Sequence, residues 1–317
     1  MRKAALLYNP DSGGSRKLQS QLDSVLALLR DDGVDATLIL THSRAHAEEQ
    51  TRQAVKEGCD TVFACGGDGT IHNLIQVLAN TEVALAVLPM GTANALAHDL
   101  GLPMNIVGAA KSALSAQRRR VTLGHIQYRD LEGNPGTRYF IVAAGVGVDA
   151  HLFYKLHSGT KHRLGMAAYY AKAWHLWCTY SMPRFQVEYV ETGVDGAQRA
   201  DLTELLGVRI RHFGGVLQEL APGASLDRND LRLILCRTAS RAAYLSYVTR
   251  SLVSGRWRVP GIDLAHASKA ICEYLPQGNN SPQTEIYVEA DGELLGALPI
   301  EIAVAPNALT ILSPRKS

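Results

Sequence analysis

The sequence predicts an N-terminal α/β domain with a doubly wound parallel sheet, followed by a mostly antiparallel β domain. The N-terminal part of the chain alternates short apolar runs with amphipathic segments, which is typical of parallel strands covered by helices. From about Val121 onward, several apolar runs alternate in polarity instead, as strands of antiparallel sheets do. The length of 317 residues also suits about two domains.

The N-terminal domain is predicted to contain four strands, each followed by a helix. The strands cover 4–8, 36–40, 61–65 and 83–88. The first helix is indicated by apolar residues spaced i, i+4, i+7, i+8 and i+11, namely Leu18, Leu22, Val25, Leu26 and Leu29. A second helix covers 44–57, a third carries Ile71, Leu74, Ile75 and Leu78, and a fourth follows the fourth strand. Such sheets bind ligands at the carboxyl ends of their strands, where loops 9–14, 66–70 and 89–94 lie.

The C-terminal domain is predicted from six further strands. They cover 121–128, 138–148, 184–190, 205–213, 231–237 and 285–290, and segments 128–137 and 191–199 are interpreted as turns or long hairpin loops. A last apolar stretch over 300–312 fits either domain, because periodicity alone does not distinguish them. The change in pattern places the first domain at 1–123, and the second domain covers 124–302 if the last stretch returns to the first.

Composition excludes several classes of protein. There are 32 lysine and arginine residues against 30 aspartate and glutamate residues, so no strong field favours nucleic acid. The five cysteines are scattered without a CxxC pair, which argues against structural zinc and a disulfide framework. The sequence contains neither a membrane-spanning apolar stretch nor a signal peptide, and we expect a cytoplasmic protein with reduced thiols.

Two glycine-rich loops are candidate phosphate sites. Gly66-Gly67-Asp68-Gly69-Thr70 joins a strand to a helix, where backbone N–H groups and the helix N-terminus attract an anion. Asp68 lies where it could approach a phosphate-bound Mg²⁺, and the alternative is a tight turn in which Asp68 caps the helix. Gly91, Thr92 and Asn94 form a second loop of this kind, and two loops at one sheet edge weaken the turn-only interpretation.

Two further motifs are less specific. Gly145-Val146-Gly147-Val148-Asp149-Ala150 spells a dinucleotide fingerprint, but it lies in the β-rich half and no acidic residue follows near position 170. We therefore do not predict dinucleotide binding there. Asp291-Gly292-Glu293 follows a strand, so it is either a hairpin turn or a carboxylate that takes a proton from a hydroxyl.

Together these motifs resemble the catalytic-domain family of diacylglycerol kinases, which includes bacterial lipid kinases and sphingosine and ceramide kinases. The resemblance rests on motifs in the family's order: Asn9-Pro10-x-Ser12-Gly13, Gly66-Gly67-Asp68-Gly69-Thr70, Pro89-x-Gly91-Thr92-x-Asn94-x-x-Ala97, Gly145-x-Gly147-x-Asp149-Ala150 and Asp291-Gly292-Glu293. The second motif is shared with NAD kinases and phosphofructokinases, whereas the third favours the lipid-kinase branch. The resemblance covers nearly the whole chain.

The resemblance implies an NAD kinase- or phosphofructokinase-like α/β domain, a β-sandwich domain, and a last strand (about 303–317) that returns to the first domain. It also implies that ATP binds between the domains and that its γ-phosphoryl group passes to a lipid hydroxyl with Mg²⁺. The implied ATP-binding residues are Asn9, Ser12, Gly13, Thr41, Gly66, Gly67, Asp68, Gly69, Thr70, Gly91, Thr92 and Asn94. Glu293 would accept the proton of the lipid hydroxyl, Asp291 would support it, and Asp68 would approach the ATP-bound Mg²⁺.

This chain departs from the family pattern at five positions: His72, Asn73, His98, Thr122 and Arg228. The last lies in 226–231, where the family carries a segment associated with a structural metal. Because Arg228 replaces a carboxylate there, we expect no metal at Asp227 and Asp230.

Residues 150–187 contain no Asp or Glu, and basic and aromatic side chains are interleaved there. This composition suits contact with an anionic membrane, for example at the inner membrane face, and equally suits a helix over 164–180 packed on a sheet.

The leading prediction is an ATP- and Mg²⁺-dependent lipid kinase that meets its substrate at a membrane surface. One alternative is a phosphotransferase with a soluble acceptor, as in NAD kinase. Another is a nucleotide- or lipid-binding protein that has lost turnover. The sequence leaves the lipid acceptor and a homodimer open.

Overall fold

The computed structural model describes residues 1–10, 16–157, 174–214, 219–253, 255, 257–276 and 284–315. The chain forms two compact units: Met1–Leu123, His212–Val216 and Ala305–Ser317 make the first, and Gly124–Arg211 and Leu217–Val304 make the second.

The segment beginning at His212 was not predicted to belong to the first unit. Its backbone N–H donates a hydrogen bond of 3.0 Å to Asp99 Oδ1, and Gly214 lies against the ring of His98. These contacts are non-local, so periodicity along the sequence does not indicate them.

The first unit consists of strands and helices in alternation. Its elements are β1 (Lys3–Tyr8), α1 (Arg16–Asp31), β2 (Asp35–Leu40), α2 (Arg44–Lys56), β3 (Thr61–Gly66), α3 (Asp68–Leu78), β4 (Ala84–Pro89), α4 (Ala95–Asp99) and α5 (Ile106–Leu114). The order of the strands is β2-β1-β3-β4, and all of these pairs are parallel. Strands β3 and β4 are buried along their whole length, as expected when helices cover both faces of a parallel sheet.

A fifth parallel strand comes from the end of the chain. The long strand β14 (Glu293–Ser313) begins in the second unit, and its last residues pair with β4. Thr310 lies beside Ala84 and Ile311 beside Leu85, both in parallel register. The C-terminal apolar stretch, which fits either domain by periodicity, therefore completes the first sheet.

The second unit is built from antiparallel strands. Its elements are β5 (Gln117–Arg129, which starts in the first unit), β6 (Pro135–Phe140), β7 (Ala143–Gly147), α6 (Val148–His157), β8 (Phe185–Glu191), β9 (Ala197–Leu202), β10 (Glu204–Val208), β11 (Leu231–Cys236), α7 (Arg241–Leu252), β12 (Ile262–Tyr274), β13 (Tyr287–Ala290) and the first part of β14. The strands follow the order β13-β7-β10-β11-β12-β8-β9. The early part of β14 pairs with β13 and then with β12, and the alternating inward side chains form one apolar core.

The predicted fold class is confirmed, whereas several predicted elements of the second unit are wrong. The predicted strand over 138–148 is interrupted at 141–142, and the strand predicted over 205–213 ends at Val208. The supposed loop over 191–199 contains the start of β9, which forms a hairpin with β8. Strand β12 and helix α7 were not predicted, because alanines and a cysteine fill many inward positions of β12 and tyrosines those of α7.

None of the helices in the described part of the chain is long and apolar enough to cross a bilayer.

Candidate functional site

The glycine-rich loops after β3 and β4 contact each other through their backbones. The N–H of Met90 donates to the carbonyl of Gly66 at 3.0 Å. A Cβ atom added at Gly91 would lie 2.5 Å from the Cα of Gly67, which is too close for any side chain. Glycine is therefore required here by the close approach of two backbones, and the two predicted loops form one surface.

Helix α3 starts at this surface with no side-chain cap. Gly67 is its N-cap residue, and the N–H of Thr70 donates to the Gly67 carbonyl at 3.0 Å. The Thr70 hydroxyl lies over Gly66, where a Cβ would come within 2.1 Å of Oγ1. Asp68 lies in the first turn, followed by Gly69, and Asp68 Oδ1 accepts from the N–H of Leu96 at 3.5 Å. The positive end of the helix dipole and the Thr70 hydroxyl thus lie at one loop, an arrangement that suits a phosphate.

Asn94 shapes the second loop from within. It adopts left-handed backbone angles (φ 48°, ψ 46°), its Oδ1 accepts from the N–H of Gly91 at 2.8 Å, and its Nδ2 donates to the Gly91 carbonyl at 2.8 Å. The side chain is buried, while Thr92 in the same loop is exposed. Asn94 therefore fixes the loop that presents Thr92 and the Gly91 backbone.

The remaining predicted nucleotide contacts follow the neighbouring strands. Asn9 follows β1, and the N–H of Thr41, just after β2, donates to the carbonyl of Tyr8 at 2.8 Å. Both lie at the carboxyl edge shared with the glycine loops, because β1, β2 and β3 run parallel. Ser12 and Gly13 lie outside the described residues.

Four of the five departures from the family pattern belong to the first unit: His72, Asn73, His98 and Thr122. His72 is buried on α3, where its carbonyl accepts from Gln76, and His98 packs against Gly214. Thr122 is buried, and its Oγ1 accepts a hydrogen bond of 3.4 Å from the N–H of Asn307.

Asp291 and Glu293 belong to the second unit; Asp291 lies in the turn between β13 and β14, and Glu293 is the first residue of β14. The Asp291 carboxylate accepts from three consecutive backbone N–H groups, those of Ile141 (3.0 Å), Val142 (2.8 Å) and Ala143 (3.1 Å). Its own N–H donates to the Ala143 carbonyl at 2.8 Å, and its φ is 50°. Asp291 thus connects residues 141–143, between β6 and β7, to the turn that precedes Glu293. The Glu293 side chain is partly buried at the start of β14.

Two buried carboxyl groups, those of Glu289 and Asp149, lie next to the same turn. Glu289 is buried, and its Oε2 accepts from the N–H of Gly292 at 2.7 Å. The Glu289 side chain is also hydrogen-bonded to Asp149. Burial raises the pKa of Asp149 to about 7, and burial together with the Asp149 charge raises the pKa of Glu289 well above its ordinary value. A hydrogen bond between two carboxyl groups needs a proton on one of them, and this bond adds to the effect of burial on the pKa of Glu289 while it opposes that effect on the pKa of Asp149.

Glu204 is a third buried carboxyl group in this region. It lies on β10 opposite Gly147, whereas Glu289 lies on β13 opposite Gly145, so the two flank β7. Burial and the charge of Asp149 raise the pKa of Glu204. Glu204 and Glu289 were not predicted as site residues, although a glutamate inside an otherwise apolar strand indicates a buried carboxyl group.

The Gly145-to-Ala150 segment has a structural explanation that differs from dinucleotide binding. Strand β7 is antiparallel to both of its neighbours, whereas the dinucleotide fingerprint needs a parallel strand–helix–strand unit. A Cβ at Gly145 would lie 2.0 Å from Asp149 Oδ2, and Gly147 has a φ of 112° against the Thr203 carbonyl. The two glycines make room for the Asp149 carboxylate and for the bend before α6.

Segment 226–231 is held by arginines. Arg228 donates from Nε and Nη2 to the two carboxylate oxygens of Asp230 at 2.7 and 2.5 Å, and His266 Nδ1 lies 3.1 Å from Oδ1. The buried guanidinium of Arg209 donates to the carbonyls of Arg228 and Asp230. Burial opposes ionisation of Asp230, but Arg228 and His266 outweigh it and lower the pKa of Asp230.

The described residues contain no group of three or more His, Cys, Asp or Glu side chains arranged to hold a metal. The absence of a metal beside Asp227 and Asp230 stays a prediction, which a magnesium titration of the unfolding temperature of the nucleotide-free protein would test.

The segment predicted to face lipid is described only at its ends, because residues 158–173 lie outside the described part. His151 stacks on Tyr180 with ring centres 3.9 Å apart, and Tyr154 stacks on Tyr287 at 4.2 Å. Burial lowers the pKa of His151 to about 4, so this ring is neutral at physiological pH.

Family models match both parts of the chain. Residues 3–126 match the model described as the diacylglycerol kinase catalytic domain. Residues 141–313 match the model described as the YegS C-terminal NAD kinase beta sandwich-like domain.

Individual proteins are similar along the whole chain. A diacylglycerol kinase of Bacillus subtilis (strain 168) is 27% identical over 319 residues, covering 100% of this chain and 98% of the relative. One from Staphylococcus haemolyticus is 28% identical over 318 residues, covering 99% and 89%. Among solved structures, a diacylglycerol kinase from Bacillus anthracis has a TM-score of 0.71 at 19% identity, covering 99% and 97%. Yeast NADH kinase, solved with NADH, has a TM-score of 0.56 at 11% identity, covering 100% and 84%.

Proposed function

Because the chain belongs to the diacylglycerol kinase catalytic-domain family, we propose that it transfers the γ-phosphoryl group of ATP to the hydroxyl of a diacylglycerol-like lipid. The observation that carries the proposal is the surface formed by the two glycine-rich loops at the start of α3. Phosphoryl transfer depends mainly on positioning and charge stabilisation, and backbone amides at a helix N-terminus supply both without a charged side chain.

In this proposal the first unit binds the nucleotide. The loops at Gly67 and Gly91 accommodate the phosphates, Thr70 and Thr92 offer hydroxyl donors, and Asn9 and Thr41 line the same sheet edge. Ser12 and Gly13 are proposed for the phosphate end on the sequence motif alone. The proposal requires glycine at 67 and 91, since side chains there would separate the loops.

The residues at this loop fit a magnesium ion that arrives with ATP. Mg²⁺ prefers oxygen ligands and usually takes one or two carboxylates together with substrate phosphates. The Asp68 carboxylate lies in the first turn of α3 and is the group that would hold the ion. When bound, the ion would neutralise charge on the phosphates.

Glu293 is proposed as the group that takes the proton of the lipid hydroxyl. Its place at the start of β14 is fixed from two sides, by Asp291 bonded to three backbone N–H groups and by Glu289 bonded to Gly292. General-base catalysis of this kind contributes about 10²–10⁴-fold to a rate. In this assignment Asp291 is a positioning residue, because its carboxylate is occupied by the backbone.

A phosphoryl-transfer assay tests the proposal. The purified protein is incubated with γ-labelled ATP, Mg²⁺ and mixed micelles containing diacylglycerol, and label is counted in the organic phase. We expect labelled lipid, and we expect Glu293→Gln to lower the rate by about 100-fold or more while ATP affinity is retained. Glu132→Gln, an exposed turn residue, is the matched control.

Three outcomes would contradict the proposal in whole or in part. Label that stays in the aqueous phase on a soluble alcohol or on NAD would replace the lipid acceptor. Full lipid kinase activity in Glu293→Gln would remove Glu293 from its role and leave the rest of the proposal intact. ATP binding without any transfer would favour a binding protein that has lost turnover.

A further inference from the structure

Arg209 is the largest fully buried side chain in the described part of the chain. It follows β10 directly, and 0% of the residue is exposed. A buried charge is costly unless hydrogen-bond acceptors surround it, so a guanidinium in a core indicates a built environment. Its Nη2 donates to the carbonyls of Leu226 at 3.5 Å and Arg228 at 2.9 Å, and its Nη1 donates to the carbonyl of Asp230.

The three acceptors are carbonyl groups of alternate residues in segment 226–231. The chain turns tightly there, and the N–H of Arg228 donates to the Ser225 carbonyl at 3.1 Å. Backbone carbonyl oxygens that point to one place are typical ligands of a hard cation such as Mg²⁺ or Ca²⁺. In this chain, the place to which they point is filled by the Arg209 guanidinium.

The carboxylate of the same segment is also engaged by cationic groups. Arg228 donates to both oxygens of Asp230, and His266 Nδ1 lies 3.1 Å from one of them. The Asp230 side chain is 7% exposed, so a metal ion would have to displace Arg228 and lie beside the buried Arg209 cation. The residues of segment 226–231 therefore do not fit the structural metal that the family pattern implies.

We propose that the Arg209 guanidinium is an internal cation that replaces a structural metal ion in segment 226–231. A guanidinium presents five N–H donors in a fixed plane and stays charged at physiological pH, so one side chain serves several carbonyls. A metal ion must be captured from solution, whereas the arginine is part of the chain. The segment is therefore ordered without a divalent ion.

Arg209 also connects this segment to the residues that bind Asp291. Strand β10 lies between β7 and β11, and segment 226–231 leads into β11. The N–H of Arg209 donates to the Val142 carbonyl at 2.9 Å, and the N–H of Val142 donates to Asp291 Oδ1 at 2.8 Å. The internal cation thus stabilises a part of the second unit whose order can be measured without ATP or kinase activity.

Thermal unfolding of the nucleotide-free protein tests the role of the guanidinium. The natural protein and Arg209→Ala are compared after divalent ions are removed with a chelator. We expect the unfolding temperature of the variant to be about 5–10 °C lower, because the carbonyls lose their cation, and a low concentration of guanidinium chloride to restore part of this loss.

Arg232→Ala is the matched control for this variant. Arg232 is half-buried in the same unit, and its Nε donates to the Pro222 carbonyl at 2.7 Å. We expect a smaller loss from Arg232→Ala and no recovery with guanidinium, because one carbonyl outside segment 226–231 loses its donor.

A double variant tests whether the segment takes a metal once the guanidinium is gone. Arg209→Ala empties the place to which the carbonyls point, and Arg228→Asp releases Asp230 and adds a carboxylate. We expect magnesium chloride in excess of its dissociation constant to raise the unfolding temperature of Arg209→Ala/Arg228→Asp by about 2–4 °C. The natural protein and Arg228→Asp alone should respond less, because Arg209 still fills the site.

Two further variants keep the test valid if the alanine variants do not fold. Arg209→Lys and Arg209→Met both fill most of the space, but lysine keeps the positive charge and methionine removes it. We expect Arg209→Lys to unfold at least about 3 °C above Arg209→Met.

Three results would overturn the proposal: equal losses in Arg209→Ala and Arg232→Ala, equal unfolding temperatures for Arg209→Lys and Arg209→Met, or equal magnesium responses of the natural protein and the double variant. A full magnesium response in Arg228→Asp alone would also contradict it, since Arg228 rather than Arg209 would then exclude the metal.

Discussion

The glycine loops of the first unit and the Glu293 turn of the second unit fix their geometry in opposite ways. The loops rely on the absence of side chains, so that the backbones at Gly67 and Gly91 touch. The turn relies on carboxyl groups, with Asp291 on three backbone N–H groups and Glu289 on Gly292. A backbone surface suits an anion, whereas a carboxyl-supported turn suits a group that must hold or release a proton. Substitutions in the glycine loops, at Asp291 and at Asp149 test this difference.

The largest effect is expected from Gly91→Ala. The new Cβ would lie 2.5 Å from the Cα of Gly67, and neither backbone can move without displacing β3 or β4. We expect a loss of about 3 kcal/mol in unfolding free energy and at least about a tenfold weaker affinity for ATP. Calorimetric titration with ATP and chemical denaturation provide the two measurements.

The control for this variant is Gly207→Ala. Its added Cβ would come no closer than 3.6 Å to any neighbouring atom, and its φ is not in the left-handed region. If both variants lose equal stability and ATP affinity, the close approach of the loops is not the reason for glycine at 91.

An intermediate effect is expected from Asp291→Ala. It leaves the N–H groups of Ile141, Val142 and Ala143 without their acceptor, and the first two residues are buried. We expect a loss of about 2–3 kcal/mol in denaturant unfolding, together with a fall in kcat and little change in ATP affinity. Asp291→Asn, which keeps an acceptor oxygen, should recover part of both.

Asp130→Ala is the matched comparison, because Asp130 Oδ1 also accepts from two backbone N–H groups, those of Glu132 and Asn134. That turn is exposed, so water can replace the carboxylate, and we expect a clearly smaller loss. Equal losses at the two positions would mean that burial of the turn does not matter.

The smallest effect is a pH dependence from the buried carboxyl groups. The pKa of Asp149 is about 7 in the folded protein and 3.8 when unperturbed, so the folded state holds a proton that the unfolded state releases. The stability that this proton contributes is present at low pH and is lost as pH rises from about 4 to about 7. We expect Asp149→Asn to flatten this part of the stability–pH curve by about 1–2 kcal/mol, and exposed Asp195→Asn to leave it unchanged. An identical curve for Asp149→Asn would exclude the shared proton with Glu289.

The two regions also differ in how far the sequence predicts them. The alternation of apolar runs and helices predicts the first unit well, and the Gly66–Thr70 motif indicates an anion loop because glycine has few other reasons to occur there. The sequence does not indicate that Gly91 touches Gly67 or that Asn94 closes on Gly91, because these are contacts between separate strands.

The second unit is predicted less completely for physical reasons. Strand β12 carries alanines and a cysteine at many inward positions, so its apolar alternation is weak, and it is identified only by pairing with β11, β8 and β14. The cluster of Asp149, Glu204 and Glu289 is assembled from residues far apart in sequence. Helix α7 was not predicted because tyrosines and a serine fill its buried positions, while several of its aliphatic residues are exposed.

The pairing of β14 with β4 has a consequence for synthesis of the protein. The fifth strand of the first sheet is translated after the entire second unit, so β4 remains an edge strand until the ribosome has made Thr310 and Ile311. Every residue of β4 is buried in the finished protein, and an unpaired apolar edge is a template for pairing with other chains. We therefore expect the nascent first unit to be prone to aggregation until this strand is made, and a chain shortened by a premature stop before Thr310 to aggregate rather than fold.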